Sequence, residues 1–514
     1  MTIPTEVEAP TGKKPAALFS RVASFIDRRP DTVLPLWITA YFVVLWRAAH
    51  RPLWFDELLT YYVSTAPTSR SYFETRFLDP TPPLSYLFFK ASVALFGNSP
   101  FAVRLPSILG FLVASLIVYR LVTRRLGGAL GLAALGLFWS SWLTTYAVEA
   151  RPYGMLLGLF SVAMLCWLNA AQAGRWTFWH AGLAIAIGAM SLTHCFSPPF
   201  AAAIGVGELV RTVVSRRIDK RVWAALLAPL AILPLYIPLI RDARALLCPP
   251  EFTATLLTFP KFYLGVLAPL LPVMGAILVL WLARHGRGEP VCFREMARPH
   301  EIAFAIAAVL APFVAISYSY WSGSPFWARY GIEAILGATL VLTALLALAT
   351  KRNSTVAAGA AGLILILFCV TKAGTEGLVE QYENTSTVYR TIRPDLPFVT
   401  ASGLTFLEMD HREAQGFIDR LYYLMDKDSA LRYHTNLFEG FPKLQQLFPM
   451  RANVEAYRNF VSRNPRFLVL GTQNQPEDWL LRKLQDDGAD IRLIQDVKTG
   501  YRDRELYEVT VRPQ

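Results

Sequence analysis

Two carboxylates stand side by side in Leu53-Trp54-Phe55-Asp56-Glu57-Leu58, and a third, Asp79, opens Asp79-Pro80-Thr81-Pro82-Pro83-Leu84-Ser85-Tyr86. An ionised carboxylate within hydrogen-bond reach of a hydroxyl can act as a general base, worth roughly 10² to 10⁴ in rate. Adjacent helical positions point about 100° apart, so only one of Asp56 and Glu57 can easily aim at a given atom. Structural roles compete at each position. Asp56 is also a natural N-cap for a helix over residues 57–63, with Glu57 favouring its positive end, and Asp79 is a turn former ahead of a proline. Among the cations, Arg151 precedes Pro152 and Tyr153 at a helix start, Arg329 precedes Tyr330, and Lys90 and Lys261 are further candidates. A guanidinium can grip phosphate oxygens with two prongs, and the alternative for each cation is a lipid headgroup. His194, between Thr193 and Cys195, is a candidate for substrate contact or, with a carboxylate, for a divalent metal. No second histidine stands at ligand spacing, so the metal is the lesser expectation. Glu208 and Glu333 are acids within apolar segments and therefore functional candidates, with Arg211 and Arg329 as their simplest partners.

Hydropathy supplies the elements that must hold these residues. The 514-residue chain is 54% hydrophobic and 17% charged, too apolar for an ordinary soluble protein. Apolar windows suited to crossing about 30 Å of hydrocarbon fall at 33–49, 105–119, 126–146, 153–173, 176–193, 199–214, 222–239, 262–282, 302–320, 331–349 and 355–370. The expected fold class is a polytopic α-helical membrane protein of about eleven spans. Lys13, Lys14, Arg21, Arg28 and Arg29 precede the first window, which lacks a small-residue cleavage site and reads as an uncleaved signal anchor with a cytoplasmic N-terminus. Fifteen Lys and Arg residues then fall on inner loops, against five on the short outer ones: Arg151, Arg241, Arg244, Lys261 and Arg329. That bias matches the positive-inside rule, so the net charge of +12 reflects membrane flanks and no nucleic acid is expected. Residues 86–96, short and centred on Lys90, suit a helix lying flat in the outer interface. An odd number of spans places the C-terminus outside. Residues 1–371 then form a transmembrane domain with a long first outer loop at 50–104, and residues 372–514 a soluble extracytoplasmic α/β domain. Its strands are expected at 397–407, 466–470, 491–494 and 505–511, and its helices at 410–425 and 477–487. Gly471-Thr472-Gln473-Asn474 lacks the glycines of a dinucleotide loop, and the five scattered cysteines suggest neither a disulfide framework nor a zinc site.

The sequence of motifs is distinctive: Trp54-Phe55-Asp56-Glu57, Asp79 through Leu87, Leu95-Phe96-Gly97, Arg104-Leu105-Pro106-Ser107 and Glu149-Ala150-Arg151-Pro152-Tyr153. It resembles the polytopic GT-C glycosyltransferases, and more narrowly their protein mannosyltransferase and aminoarabinose transferase branch. The similarity is densest over residues 54–155, weaker at His194 and Arg329-Tyr330, and absent from the C-terminal region. The resemblance implies an extracytoplasmic active site roofed by interfacial helices of the first outer loop, a lipid-linked sugar donor, and Asp56 as the catalytic base. Asp79 is then a substrate-orienting or alternate base, with Glu57 as neighbour to Asp56. For the donor phosphate Arg151 is the first choice, followed by Arg329, Lys90 and Lys261, while Tyr153, His194 and Tyr330 are candidates for substrate contact. A sugar on polyprenyl phosphate already carries a good leaving group, so the protonating acid of glycoside hydrolysis is not needed. No cofactor is firmly implied. The expected partners are a polyprenyl-phosphate-linked sugar, a glycan, lipid or protein acceptor, and the bilayer of a prokaryotic inner membrane. A transporter or lipid flippase would share the spans and basic inner loops, but would gather polar groups near the midplane rather than at the outer span ends.

Overall fold

The computed structural model describes residues 13–68, 74, 81–245, 253–285, 297–385, 391–432, 445–446, 448, 450–472, 479–498 and 503–511. Each of the eleven apolar windows lies on a helical segment. Among the described residues six stretches are long and apolar enough to cross a bilayer: Pro100–Leu126, Tyr153–Ala170, Lys220–Arg241, Thr258–Ala283, Pro299–Ser322 and Ser354–Lys372. Shorter apolar helices join them, including Pro30–Trp46, Gly128–Ser140, Phe178–Thr193 and Ala334–Thr350. The bundle faces outward with large apolar side chains such as Leu36, Val43, Ile185, Leu278 and Ile366, each more than half exposed. Exposed apolar side chains on helices long enough to cross a bilayer suit contact with lipid.

Departures from ideal helices have local causes. The window at 222–239 becomes helix Lys220–Leu227, a 3₁₀ stretch Ala228–Leu235 and helix Tyr236–Ala245, with Pro229 and Pro234 lacking the N–H groups a continuous helix requires. The window at 126–146 is interrupted too. Helix Gly128–Ser140 stops at the extended Ser141, and a 3₁₀ turn Trp142–Val148 carries the chain toward Arg151. Residues 86–96 fall on a separate thirteen-residue helix, Leu84–Phe96.

The last bundle helix runs from Ser354 to Thr385, so residues 371 and 372 lie within it. Beyond it, six strands among the described residues form one sheet: β1 Phe398–Thr400, β2 Leu421–Met425, β3 Asn453–Ala456, β4 Arg466–Gly471, β5 Asp490–Lys498 and β6 Asp503–Thr510. Their order is β3-β2-β1-β4-β6-β5, with the first four parallel and β6 antiparallel to both β4 and β5. Parallel neighbours need crossovers, which here include helices Gly403–Arg412, Tyr457–Arg463 and others. Two expected elements differ. The strand expected at 397–407 ends at Thr400 and gives way to helix Gly403–Arg412, and the helix expected at 410–425 is replaced beyond Ile418 by β2. Leu421 and Tyr422 pair with Phe398 and Val399, so sheet registry overrides the helical pattern of the local sequence.

Among the described residues two apolar cores result. One fills the helix bundle. The other joins the sheet and its helices to Leu53, Leu58, Leu59, Phe89, Val103, Ala150 and Met155, so the sheet sits on the same end of the bundle as the first long loop.

Candidate active site

The helix carrying the paired acids begins at Phe55, two residues earlier than expected, and Asp56 is therefore not its N-cap. The cap function falls to Glu57, whose Oε2 accepts from the Trp54 N–H at 3.2 Å, as a third-position glutamate can. Glu57 is fully buried and grips Arg104 with both oxygens: Nε donates to Oε1 at 2.7 Å and Nη2 to Oε2 at 2.5 Å. Its Oε1 also accepts from the Ala150 N–H at 2.8 Å. Arg104 spends its remaining donors on the carbonyls of Ala49, Arg51 and Pro52. Burial alone would push the Glu57 carboxyl up, but Arg104, together with Arg51 and the Ala150 N–H, more than offsets it and the group sits below its ordinary range. Glu57 thus ties together the chain leaving the first span, the next long helix and the loop before Arg151.

Asp56 points elsewhere. Its Oδ2 lies 2.6 Å from Arg329 Nη1, and both side chains are mostly buried. Arg329 sits in a 3₁₀ turn, Ala328–Gly331, inside a cage of rings: Trp327 at 5.2 Å, Trp54 at 5.9 Å, and Tyr146 and Tyr153 each at 6.0 Å. Aromatic faces stabilise a desolvated guanidinium while leaving its edge open to anions. Arg151 donates to the Asp56 carbonyl at 3.2 Å and to Thr60 Oγ1 at 3.1 Å. A carboxylate and two guanidinium groups therefore converge within one turn of helix.

Tyr153, His194 and Tyr330 form the wall beside them. The His194 ring lies 5.5 Å from Tyr153 and 5.3 Å from Tyr330, and Tyr330 stacks on Phe196 at 4.8 Å. His194 Nδ1 accepts from the Phe196 N–H at 3.3 Å, so the neutral ring carries its proton on Nε2. Lys90 and Lys261 are exposed; Lys90 donates to the Ala66 carbonyl at 3.2 Å. Their setting suits the headgroup alternative. Asp79 lies outside the described residues. The expected Glu333–Arg329 pair does not form, because Arg329 turns to Asp56; both Glu333 oxygens are buried without a hydrogen-bond partner among the described residues. Glu208 does pair with Arg211, at 2.7 and 2.8 Å, and also accepts from Trp167 Nε1.

Sequence reasoning assigned no role to Glu149. It is buried, holds Arg51 at 3.1 Å through Oε1, and leaves Oε2 without a hydrogen-bond partner among the described residues. Burial, aided by the nearby negative charges of Glu57 and Asp56 and opposed by Arg51 and Arg329, pushes its pKa up to about 7. Glu149 and Arg104 both lie in the quoted motifs, and Arg104 stands out as a lone cation near the start of a long apolar helix. Among the described residues no group of three or more His, Cys, Asp and Glu side chains is arranged to hold a metal ion.

Residues 80–240 match the family model described as dolichyl-phosphate-mannose-protein mannosyltransferase. No curated protein matches the chain. Among solved structures, the chain is similar to ArnT from Cupriavidus metallidurans in the apo state, with a TM-score of 0.54 and 12% identity over 93% of this chain and 98% of that one. It is similar also to the same protein bound to undecaprenyl phosphate, with a TM-score of 0.53 and 14% identity over 97% and 98% of the two chains.

Proposed function

From the GT-C fold that this chain carries, we propose that it is an integral membrane glycosyltransferase that moves a sugar from a polyprenyl phosphate to an acceptor at the extracytoplasmic face, inverting the anomeric centre. The observation that supports this reading most is the convergence of Asp56, Arg329 and Arg151 beside an aromatic wall, at the end of the bundle where the sheet packs. A solved structure of the same fold is described as bound to undecaprenyl phosphate, which supports a donor of that class.

In the proposed reaction Asp56 accepts the proton of an acceptor hydroxyl. The acceptor oxygen forms its bond to the anomeric carbon while the bond from that carbon to the phosphate oxygen breaks, and the departing phosphate keeps the electron pair. Attack from the face opposite the leaving group inverts the centre. Arg329 and Arg151 take up the charge that grows on the phosphate, a contribution that increases toward the transition state. Asp56 pairs with Arg329. A donor phosphate would compete for the same guanidinium, so donor binding and release of the base are coupled through one side chain. Tyr153, His194 and Tyr330 supply ring faces against which a sugar can lie. No step is routed through a metal, and Asp79 orients the substrate or serves as an alternate base.

The test uses purified protein, a radiolabelled polyprenyl-phosphate sugar and membrane acceptors, with undecaprenyl phosphate as the binding probe. Asp56→Asn is expected to lower transfer by roughly 10² or more while undecaprenyl phosphate binds no more weakly than to the wild type, because Arg329 loses the carboxylate that competes with the phosphate. Full transfer by Asp56→Asn would remove Asp56 as the base.

A further inference from the structure

Asp56 is held from several directions. Its side chain meets Arg329 and its carbonyl meets Arg151, while Glu57, the residue after it, is fixed by Arg104. The residue before it is held by a part of the chain some 350 positions away: the Phe55 N–H donates to Glu408 Oε1 at 3.0 Å. Phe55 is the first residue of its helix, and the N–H groups of a first turn have no partner within the helix. An acidic side chain there satisfies a donor and suits the positive end of the helix.

Glu408 is itself firmly mounted. It stands on helix Gly403–Arg412, which follows β1 and packs directly on helix Phe55–Thr65. Leu58, Leu59 and Tyr62 share a core with Phe406, Leu407 and Met409. The His411 ring meets Tyr61 edge-on at 5.5 Å, and Phe448 meets Tyr62 at 5.1 Å. Asp410 Oδ1 accepts from the N–H groups of Arg451 and Ala452 at 2.9 and 2.6 Å, pinning this helix to the chain that leads into β3.

We infer that Glu408 is a positioning residue through which the C-terminal α/β domain holds the Asp56 turn in its reactive orientation. The domain therefore takes part in catalysis by bracing the first turn of helix Phe55–Thr65, without contacting the reacting atoms. This inference rests on reading Asp56 as the base.

The experiment compares full-length wild type, Glu408→Ala and Glu408→Gln by hydrogen–deuterium exchange and by the transfer assay above. Glu408→Ala is expected to speed exchange of the peptide covering residues 53–65 about tenfold, the scale of one lost charge-assisted hydrogen bond, while peptides from β1 and β4 keep wild-type protection. kcat should fall by about the same factor with the donor KM unchanged. Glu408→Gln keeps an acceptor oxygen and should recover most of both. Wild-type exchange at residues 53–65 in Glu408→Ala overturns the brace, whatever the transfer rates. So does equal loss of protection at residues 53–65 and across the sheet in both variants, which would mark general unfolding. Failure of the base reading is detected separately, as full transfer by Asp56→Asn, and leaves the exchange result standing.

Discussion

Asp56 and Glu57 are chemically alike and adjacent, yet the fold gives them opposite tasks. Glu57 is fully enclosed and spends its oxygens on Arg104, Trp54 and Ala150. Removing one partner of so buried a pair strands a charge, which makes Glu57 a structural keystone. Asp56, about 100° around the helix, faces Arg329 at the site. Helix geometry showed that only one of the two could serve one atom and the family resemblance pointed to Asp56, but the partners that separate their settings, Arg104 and Arg329, come from distant segments. Glu149 offers a titration specific to this site. A buried acid whose pKa is raised binds its proton more tightly folded than unfolded, so its contribution to stability is complete below its ordinary value of 4.5 and is lost as pH rises through about 7. The apparent Tm of the wild type is expected to fall, relative to Glu149→Gln, between those pH values. A constant difference in Tm between the two proteins from pH 4 to 8 would show that Glu149 does not hold its proton in the fold.

At the scale of elements, glycine decides how closely the helices that carry the site approach one another. Arg104 lies on helix Pro100–Leu126, and Arg151 lies just before helix Tyr153–Ala170. A Cβ on Gly154 would stand 2.2 Å from the Ser107 carbonyl oxygen and 2.5 Å from that of Ala147, while one on Gly158 would stand 2.6 Å from the Gly110 carbonyl oxygen. Two backbones thus touch where small residues recur four apart, the spacing that lets membrane helices pack closely. Ser107 Oγ adds a hydrogen bond to the Arg151 carbonyl at the same contact. Gly154→Ala must push the helices apart, and a cost of about 1–3 kcal/mol is expected from this overpacking. Gly205→Ala is the control, because a Cβ there meets nothing within 4 Å. Thermal melts of the two variants should show a lower apparent Tm for Gly154→Ala alone. Equal Tm values would mean that this contact does not fix the helix spacing. The sequence contains these glycines, but it does not say which helix faces them.

On the scale of the whole molecule, the sheet and the candidate site share one end of the bundle and one apolar core. In the proposed orientation that end is extracytoplasmic. A reporter active only outside the cytoplasm, fused after Gln514, is therefore expected to be active, and activity of a cytoplasmic reporter at the same position would reverse the orientation. Hydropathy alone located the helical segments, because burying some twenty apolar residues in lipid demands a long local run that any window detects. Local composition also marked the α/β character of the C-terminal region and the acid-bearing loop. Pairing was different. That Asp56 meets Arg329, that Glu57 meets Arg104, and that Glu408 reaches the Phe55 N–H follows from contacts between segments far apart in the chain. A side chain's partner is set by the packing of whole helices and the sheet. Periodicity reports only which face of an element is apolar, so these assignments belonged to the tertiary structure.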